Sequence, residues 1–112
     1  MGDRVSVQFQ TEEEKSVVLF SHWGGSRFAE ATLAYAQLLM KSRNGEMQPL
    51  DRFEPNTVMV DFIREVTKGE ERIKSSLYLG ATENDGDNSD NGHFIVKFDP
   101  QKREVTMTGG ET

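Results

Sequence analysis

Alternating apolar and polar positions predict three half-buried strands, over residues 4–10, 93–99 and 103–108. In each of them the apolar side chains fall mainly on every second position, which is the period of a strand that buries one face. Residues 16–21 are apolar almost without a break, so this strand is expected at the centre of the sheet, covered on both faces. A shorter apolar stretch predicts a further strand over 73–80.

Apolar positions recur with helical spacing over residues 27–42 and 56–68, which predicts two helices. Ser26 is expected to be the N-cap of the first helix, and Pro55 suits the first turn of the second. The order is therefore two strands, two helices and three strands. Because strands and helices are segregated, the predicted class is α+β, an antiparallel sheet of about five strands with two helices packed on one face. The expected core includes Leu19, Phe28, Phe62 and Ile63.

The length of 112 residues suits one domain, expected over 1–108, with a frayed tail at 109–112. No internal repeat is visible. A formal net charge of −6 argues against a phosphate-backbone partner, so nucleic acid is not expected. No apolar run approaches the roughly 18 residues of a membrane helix, so no membrane contact is expected. The chain has no cysteine, which excludes disulfides and thiolate sites and fits a cytoplasmic location.

The first candidate site is the turn between the central strand and the first helix, formed by His22, Trp23, Gly24, Gly25 and Ser26. A glycine pair lets a ligand approach the backbone, and a helix start offers amide groups to an anion. The histidine can act as acid, base or metal ligand near neutral pH, and the tryptophan can stack on a ring. The alternative is a tight structural turn, since no dinucleotide or phosphate-loop motif is present.

Residues 19–25, which read Leu-Phe-Ser-His-Trp-Gly-Gly, resemble a feature of small uncharacterised prokaryotic and phage proteins. In those proteins a strand ends in His-Trp-Gly/Asp-Gly before a helix. The resemblance implies a small cytoplasmic prokaryotic protein of unassigned function, and it carries over no catalytic roles.

The second candidate site is the acidic segment 83–93, in which Asp85, Asp87, Asp90 and His93 are the candidate metal ligands. Carboxylate oxygens suit a divalent cation, and calcium or magnesium is the cofactor that this pattern admits; no other cofactor is expected. The spacing does not make an EF-hand, because a phenylalanine occupies the position of its last glutamate. The alternative is a solvated loop of Asx turns, exposed and mobile because it contains no Lys or Arg.

Three functions follow from these two places. The favoured one is a non-enzymatic binding or accessory domain that contacts a protein or a small ligand. The second is a metal-dependent hydrolase that uses the segment 83–93 as ligands and His22 as base, which requires the two places to lie at the same end of the fold. The third is a structural calcium site without catalysis.

Overall fold

The computed structural model describes residues 2–41, 54–69, 76–99, 102 and 104–110. It has two helices and five strands in the predicted order, so the α+β class is confirmed. The elements are β1 (Val5–Gln10), β2 (Val18–Ser21), α1 (Gly25–Lys41), α2 (Pro55–Val66), β3 (Leu77–Gly80), β4 (His93–Asp99) and β5 (Glu104–Gly109).

The strands form one sheet in the order β3-β2-β1-β4-β5. Three of the four neighbouring pairs are antiparallel, but β1 and β4 are parallel, so the prediction of a fully antiparallel sheet is wrong. Parallel neighbours require a connection that carries the chain back to the end where the first strand began. Residues 81–92 are part of that return, and we call them the strap.

The first face of the sheet carries the hydrophobic core. The ring of Phe9 on β1 lies 6.1 Å from that of Tyr35 on α1 and 5.5 Å from that of Phe62 on α2, so one strand residue contacts both helices. Of the predicted core residues, Leu19 and Phe62 are buried, and Phe28 and Ile63 are partly buried and pack against the same cluster.

The second face of the sheet is also covered, which the alternating pattern did not predict. Ser6 and Gln8 on β1 are buried, although alternation places them on the polar side of the strand. The strap crosses this face. It starts where Gly80 pairs with Val18 and ends where β4 joins the sheet beside β1. As predicted, β2 is buried on both faces, with all four of its residues buried.

The start of α1 differs from the prediction by two residues. The amide of Gly24 donates to Oγ of Ser21 at 3.0 Å, and the carbonyl of Gly24 accepts from the amide of Phe28. Ser26 lies inside the helix and is exposed, so its prediction as N-cap is wrong. The strand residue Ser21 supplies the hydroxyl that satisfies an amide at this helix start.

Parts of the predicted elements lie outside the described residues, namely 42 of the first helix, 73–75 of the third strand and 103 of the last. At the expected tail, β5 continues to Gly109, and the amide of Gly110 donates to the carbonyl of His93 at 2.9 Å. Residues 111–112 are outside the described range. Within the described helices, no stretch has the length and apolar character needed to span a membrane.

Candidate functional site

The last part of the acidic segment, around Asn91, lies at the same end of the sheet as the first candidate site, and Asp3 joins them, whereas Asp85 lies beside Gly80 at the other end. Its amide donates to the carbonyl of His22 at 2.7 Å, and its carbonyl accepts from the amide of Gly25 at 2.9 Å. Its carboxylate accepts from Nδ2 of Asn91 in the strap at 2.7 Å. Asp3 could not be predicted from local sequence patterns, because its three partners are distant along the chain.

The turn His22–Ser26 presents one large aromatic side chain to solvent. Trp23 is 64% exposed, whereas the ring of His22 lies 5.4 Å from that of Tyr78 on β3. Gly25 has a φ of 63°, and a Cβ there would overlap the carboxylate of Asp3. A side chain at this position is therefore disfavoured by both the backbone and the neighbouring carboxylate. The glycine fixes the turn, and Trp23 is its accessible group.

Two carboxylates of the strap pair with Arg4, at the start of β1. Nη1 of Arg4 lies 2.6 Å from Oδ2 of Asp87, and Nε lies 3.0 Å from Oδ2 of Asp90. A hydrogen bond from the amide of Ser89 lowers the pKa of Asp87, and one from the amide of Arg4 lowers the pKa of Asp90; the guanidinium acts in the same direction on both. The guanidinium of Arg4, from the other end of the chain, therefore supplies the positive charge that pairs with the strap carboxylates.

The other strap carboxylate among the candidate ligands has a local structural role. Oδ2 of Asp85 accepts from the amides of Ala81 and Thr82 at 2.7 and 2.9 Å, which closes the turn after β3. Within the described residues, no group of three or more histidine and carboxylate side chains is placed to hold a metal ion. The structure therefore does not bring Asp85, Asp87, Asp90 and His93 together as one ligand set.

The side chain of His93 belongs to a buried polar network on the second face of the sheet, and only 7% of its surface is exposed. Nδ1 lies 2.7 Å from Oγ of Ser6, and Nε2 lies 3.1 Å from Oε1 of Gln8. Nδ2 of Asn88 in the strap donates to Oγ of Ser6 at 2.8 Å. Glu83 faces the ring at 3.9 Å. The polar positions of β1 could have indicated this network, but alternation favoured a solvated face.

The neighbours of this network fix the direction of each hydrogen bond. Nε2 of Gln8 donates to the carbonyl of Ser16 at 2.8 Å, so its Oε1 faces His93 and accepts from Nε2–H of the ring. Nδ1 is then the acceptor, and the hydroxyl of Ser6 donates to it while accepting from Asn88. Burial is the main cause that lowers the pKa of His93, which favours this neutral ring.

The pairing of Ser6 with His93 has the elements of a nucleophile and its base, but Ser6 has no exposed surface. Its hydroxyl donates to the ring and accepts from the strap, so the arrangement is that of a buried structural network. A shallow recess of about 410 Å³ lies at the other end of the sheet, lined by Glu14, Lys15, Glu54, Pro55, Asn56 and Thr57. That recess does not include the turn or the strap.

Comparison with protein-family models, with curated proteins and with solved structures returned no match. The resemblance of residues 19–25 to prokaryotic and phage proteins stays a prediction.

Proposed function

We propose that the protein is a non-enzymatic binding domain that contacts a protein partner through the turn His22–Ser26, with Trp23 as the anchoring side chain. The observation that carries the proposal is the exposure of Trp23, 64% of whose surface faces solvent at a turn held by Asp3. Tryptophan is enriched among the residues that dominate binding energy in protein interfaces, because one rigid side chain buries a large area.

The surroundings of Trp23 support a binding role over catalysis. Three of the groups that could carry chemistry are engaged within the fold: Asp87 and Asp90 pair with Arg4, and His93 is buried against Ser6. A metal-dependent hydrolase would require the turn and the acidic segment to form one site, but the carboxylates of that segment hold the strap in place.

The backbone around Trp23 is fixed before any partner arrives. The carbonyl of His22 and the amides of Gly24 and Gly25 all have partners within the fold. A rigid turn loses little conformational entropy when its exposed side chain is buried by a partner. We expect the domain to act in the cytoplasm, in keeping with its lack of cysteine.

Photo-crosslinking tests this function. A photoreactive residue is placed at position 23, and in matched controls at positions 38 and 60, where Leu38 and Val60 are also large exposed apolar side chains on the helices. In the cells that produce the protein, position 23 is expected to give a discrete crosslinked species that positions 38 and 60 do not give. The recovered partner should bind Trp23→Ala at least tenfold more weakly than Leu38→Ala, the loss of a single hot-spot side chain. Equal crosslinking from all three positions, or equal affinity of the two variants, would contradict the proposal.

A further inference from the structure

The strap is fastened to the second face of the sheet by a chain of hydrogen bonds that depends on a neutral His93. Asn88 donates to Ser6, Ser6 donates to Nδ1 of the ring, and Nε2–H of the ring donates to Gln8. The donor and acceptor roles in each of these hydrogen bonds therefore depend on those in the neighbouring bond. The amide of Asn88 links this network to the middle of the strap, and Glu83 faces the ring from the beginning of the strap.

If the ring of His93 carried a second proton, this series of hydrogen bonds would contain more donors than acceptors. Nδ1–H would then have to donate to Oγ of Ser6, which already accepts from Nδ2 of Asn88. The hydroxyl proton of Ser6 would have no acceptor in a buried site. Rotation of the Asn88 amide would give this proton an acceptor, but it would also turn the amide oxygen towards the carbonyl of Glu83, which now accepts from Nδ2 at 3.4 Å, so the strap would lose that bond.

We propose that protonation of His93 releases the strap from the second face of the sheet, so that the strap is an acid-sensitive cover. The release starts at Asn88, because the charged ring would compete with Asn88 as a donor to the hydroxyl of Ser6. This inference stands on the strap itself and does not depend on the proposed role of Trp23.

The charged groups that act on the ring are Glu83 in the strap and Lys15 in the connection between β1 and β2. Glu83 favours the imidazolium and Lys15 opposes it, while burial, the largest influence, lowers the pKa of His93. The residues of β1 that contact the ring, Ser6 and Gln8, carry no charge. Asp87 and Asp90 keep their negative charges through this range, because the pKa values of both carboxylates are lowered from 3.8. A response of the strap in weakly acidic solution would therefore come from the histidine.

Lifting the strap would uncover an aromatic pair. The rings of Phe20 and Tyr78 stack at 4.9 Å with an angle of 5° between their planes, and the strap packs on them through Gly86. The amide of Asp87 donates to the hydroxyl of Tyr78 at 3.0 Å. Release would break this bond and expose both rings to solvent.

The test is an NMR titration from pH 8 to pH 4.5 in a buffer that contains EDTA, which removes any metal effect. The ring nitrogens of His93 and the amides of Asp87, Asn88 and Asn91 are followed together. We expect the strap amides to shift with the same midpoint as the His93 ring, and that midpoint to lie below the ordinary value of a histidine. The proposal is overturned if the ring of His93 titrates while the strap amides stay in place.

Substitutions of the residues in this network test the proposal independently of the titration. In His93→Gln the strap amides should no longer respond in this pH range, and in the matched control His22→Gln they should respond as in the wild type. If His93→Gln does not fold, Asn88→Ala decides: without the competing donor to Ser6, the midpoint of His93 should move to higher pH. An unchanged midpoint in Asn88→Ala, or a strap response that survives in folded His93→Gln, would refute the proposal.

Discussion

Arg4 and Asp87 are separated by 83 residues in the chain, yet Nη1 of one lies 2.6 Å from Oδ2 of the other. The same guanidinium also contacts Asp90, so one side chain at the start of β1 fixes two points of the strap. The strap in turn buries the polar face of β1. An acidic segment that reads as a solvated loop is therefore part of the folded structure.

Replacing Arg4 by Gln should loosen the strap without unfolding the domain. Asp87 and Asp90 would then face each other without a cation, and their pKa values should rise towards the ordinary value. We expect faster hydrogen exchange at the amides of Asp87 and Asn91, measured by NMR. Arg64→Gln, at an exposed position of α2, is the matched control and should leave these amides unchanged. Identical exchange in the two variants would show that Arg4 does not hold the strap.

The same two carboxylates make the strap sensitive to strong acid. Because the pKa of each is lowered from 3.8, the stability that they contribute is complete above that pH and is lost as the pH falls through their values in the folded state. In Arg4→Gln this loss should begin at higher pH than in the wild type.

Gly86 is required where the strap meets the sheet. A Cβ at this position would lie 2.7 Å from Cε2 and from the hydroxyl oxygen of Tyr78, and 2.8 Å from Cδ2 of Phe20, closer than real Cβ contacts. Gly86→Ala should therefore lower the free energy of unfolding by about 1–3 kcal/mol, the usual cost of overpacking. Urea denaturation measures this value, and Asn84→Ala, at an exposed strap position, should cost under about 0.5 kcal/mol. Equal losses in the two variants would contradict the packing of the strap on the aromatic pair.

The hydroxyl of Tyr35 links the two helices. It donates to Oδ2 of Asp61 at 2.6 Å, and burial together with this bond raises the pKa of Tyr35. Tyr35→Phe keeps the ring contacts with Phe9 and Phe62 but removes the bond, so it should cost about 1–2 kcal/mol. A double-mutant cycle with Asp61→Ala, which leaves no acceptor, measures the coupling in urea denaturation. A coupling energy near zero would show that the bond does not contribute.

Divalent cations should have little effect on the protein. Asp87 and Asp90 are paired with Arg4, and Asp85 is bound to backbone amides, so a cation would have to displace these partners. We expect millimolar calcium, magnesium, manganese or zinc to leave the melting temperature and the strap amides unchanged. A rise in melting temperature that depends on metal concentration, with NMR shifts confined to Asp85–His93, would restore the metal-site hypothesis. In that case a metal concentration a hundredfold above Kd would raise the free energy of unfolding by about 2.7 kcal/mol.

The local pattern of the sequence predicted the elements well because each depends on neighbouring residues. The helical spacing around Phe62 and the unbroken apolar run around Leu19 both placed buried residues correctly. The pattern failed where distant segments meet. Ser6 and Gln8 alternate with valine and phenylalanine as on any half-buried strand, and nothing in β1 indicates that a distant segment covers them, in which Asn88 follows Ser6 by 82 residues. The parallel pairing of β1 with β4 has the same origin, since it depends on the path of the strap.

For the candidate sites too, local sequence patterns predicted what depends on neighbouring residues and missed what depends on distant ones. The exposed Trp23 lies at a turn that its glycines and flanking elements predicted. By contrast, Asp87, Asp90 and His93 have partners on β1 or just before it, more than 80 residues away, namely Arg4, Ser6 and Gln8. Residue type alone indicated ligands for a metal. The long-range contacts instead assign these side chains to the strap.

The central claim is that the turn leaves Trp23 free to bind, and its fluorescence tests this most directly. Trp23 is the only tryptophan, so the emission of the folded protein reports this side chain alone. The account predicts an emission maximum close to that of the urea-unfolded chain and efficient quenching by acrylamide, both of which should decrease when the crosslinked partner is added. A blue-shifted emission that acrylamide barely quenches in the isolated protein would mean that Trp23 is already buried, and would contradict the account.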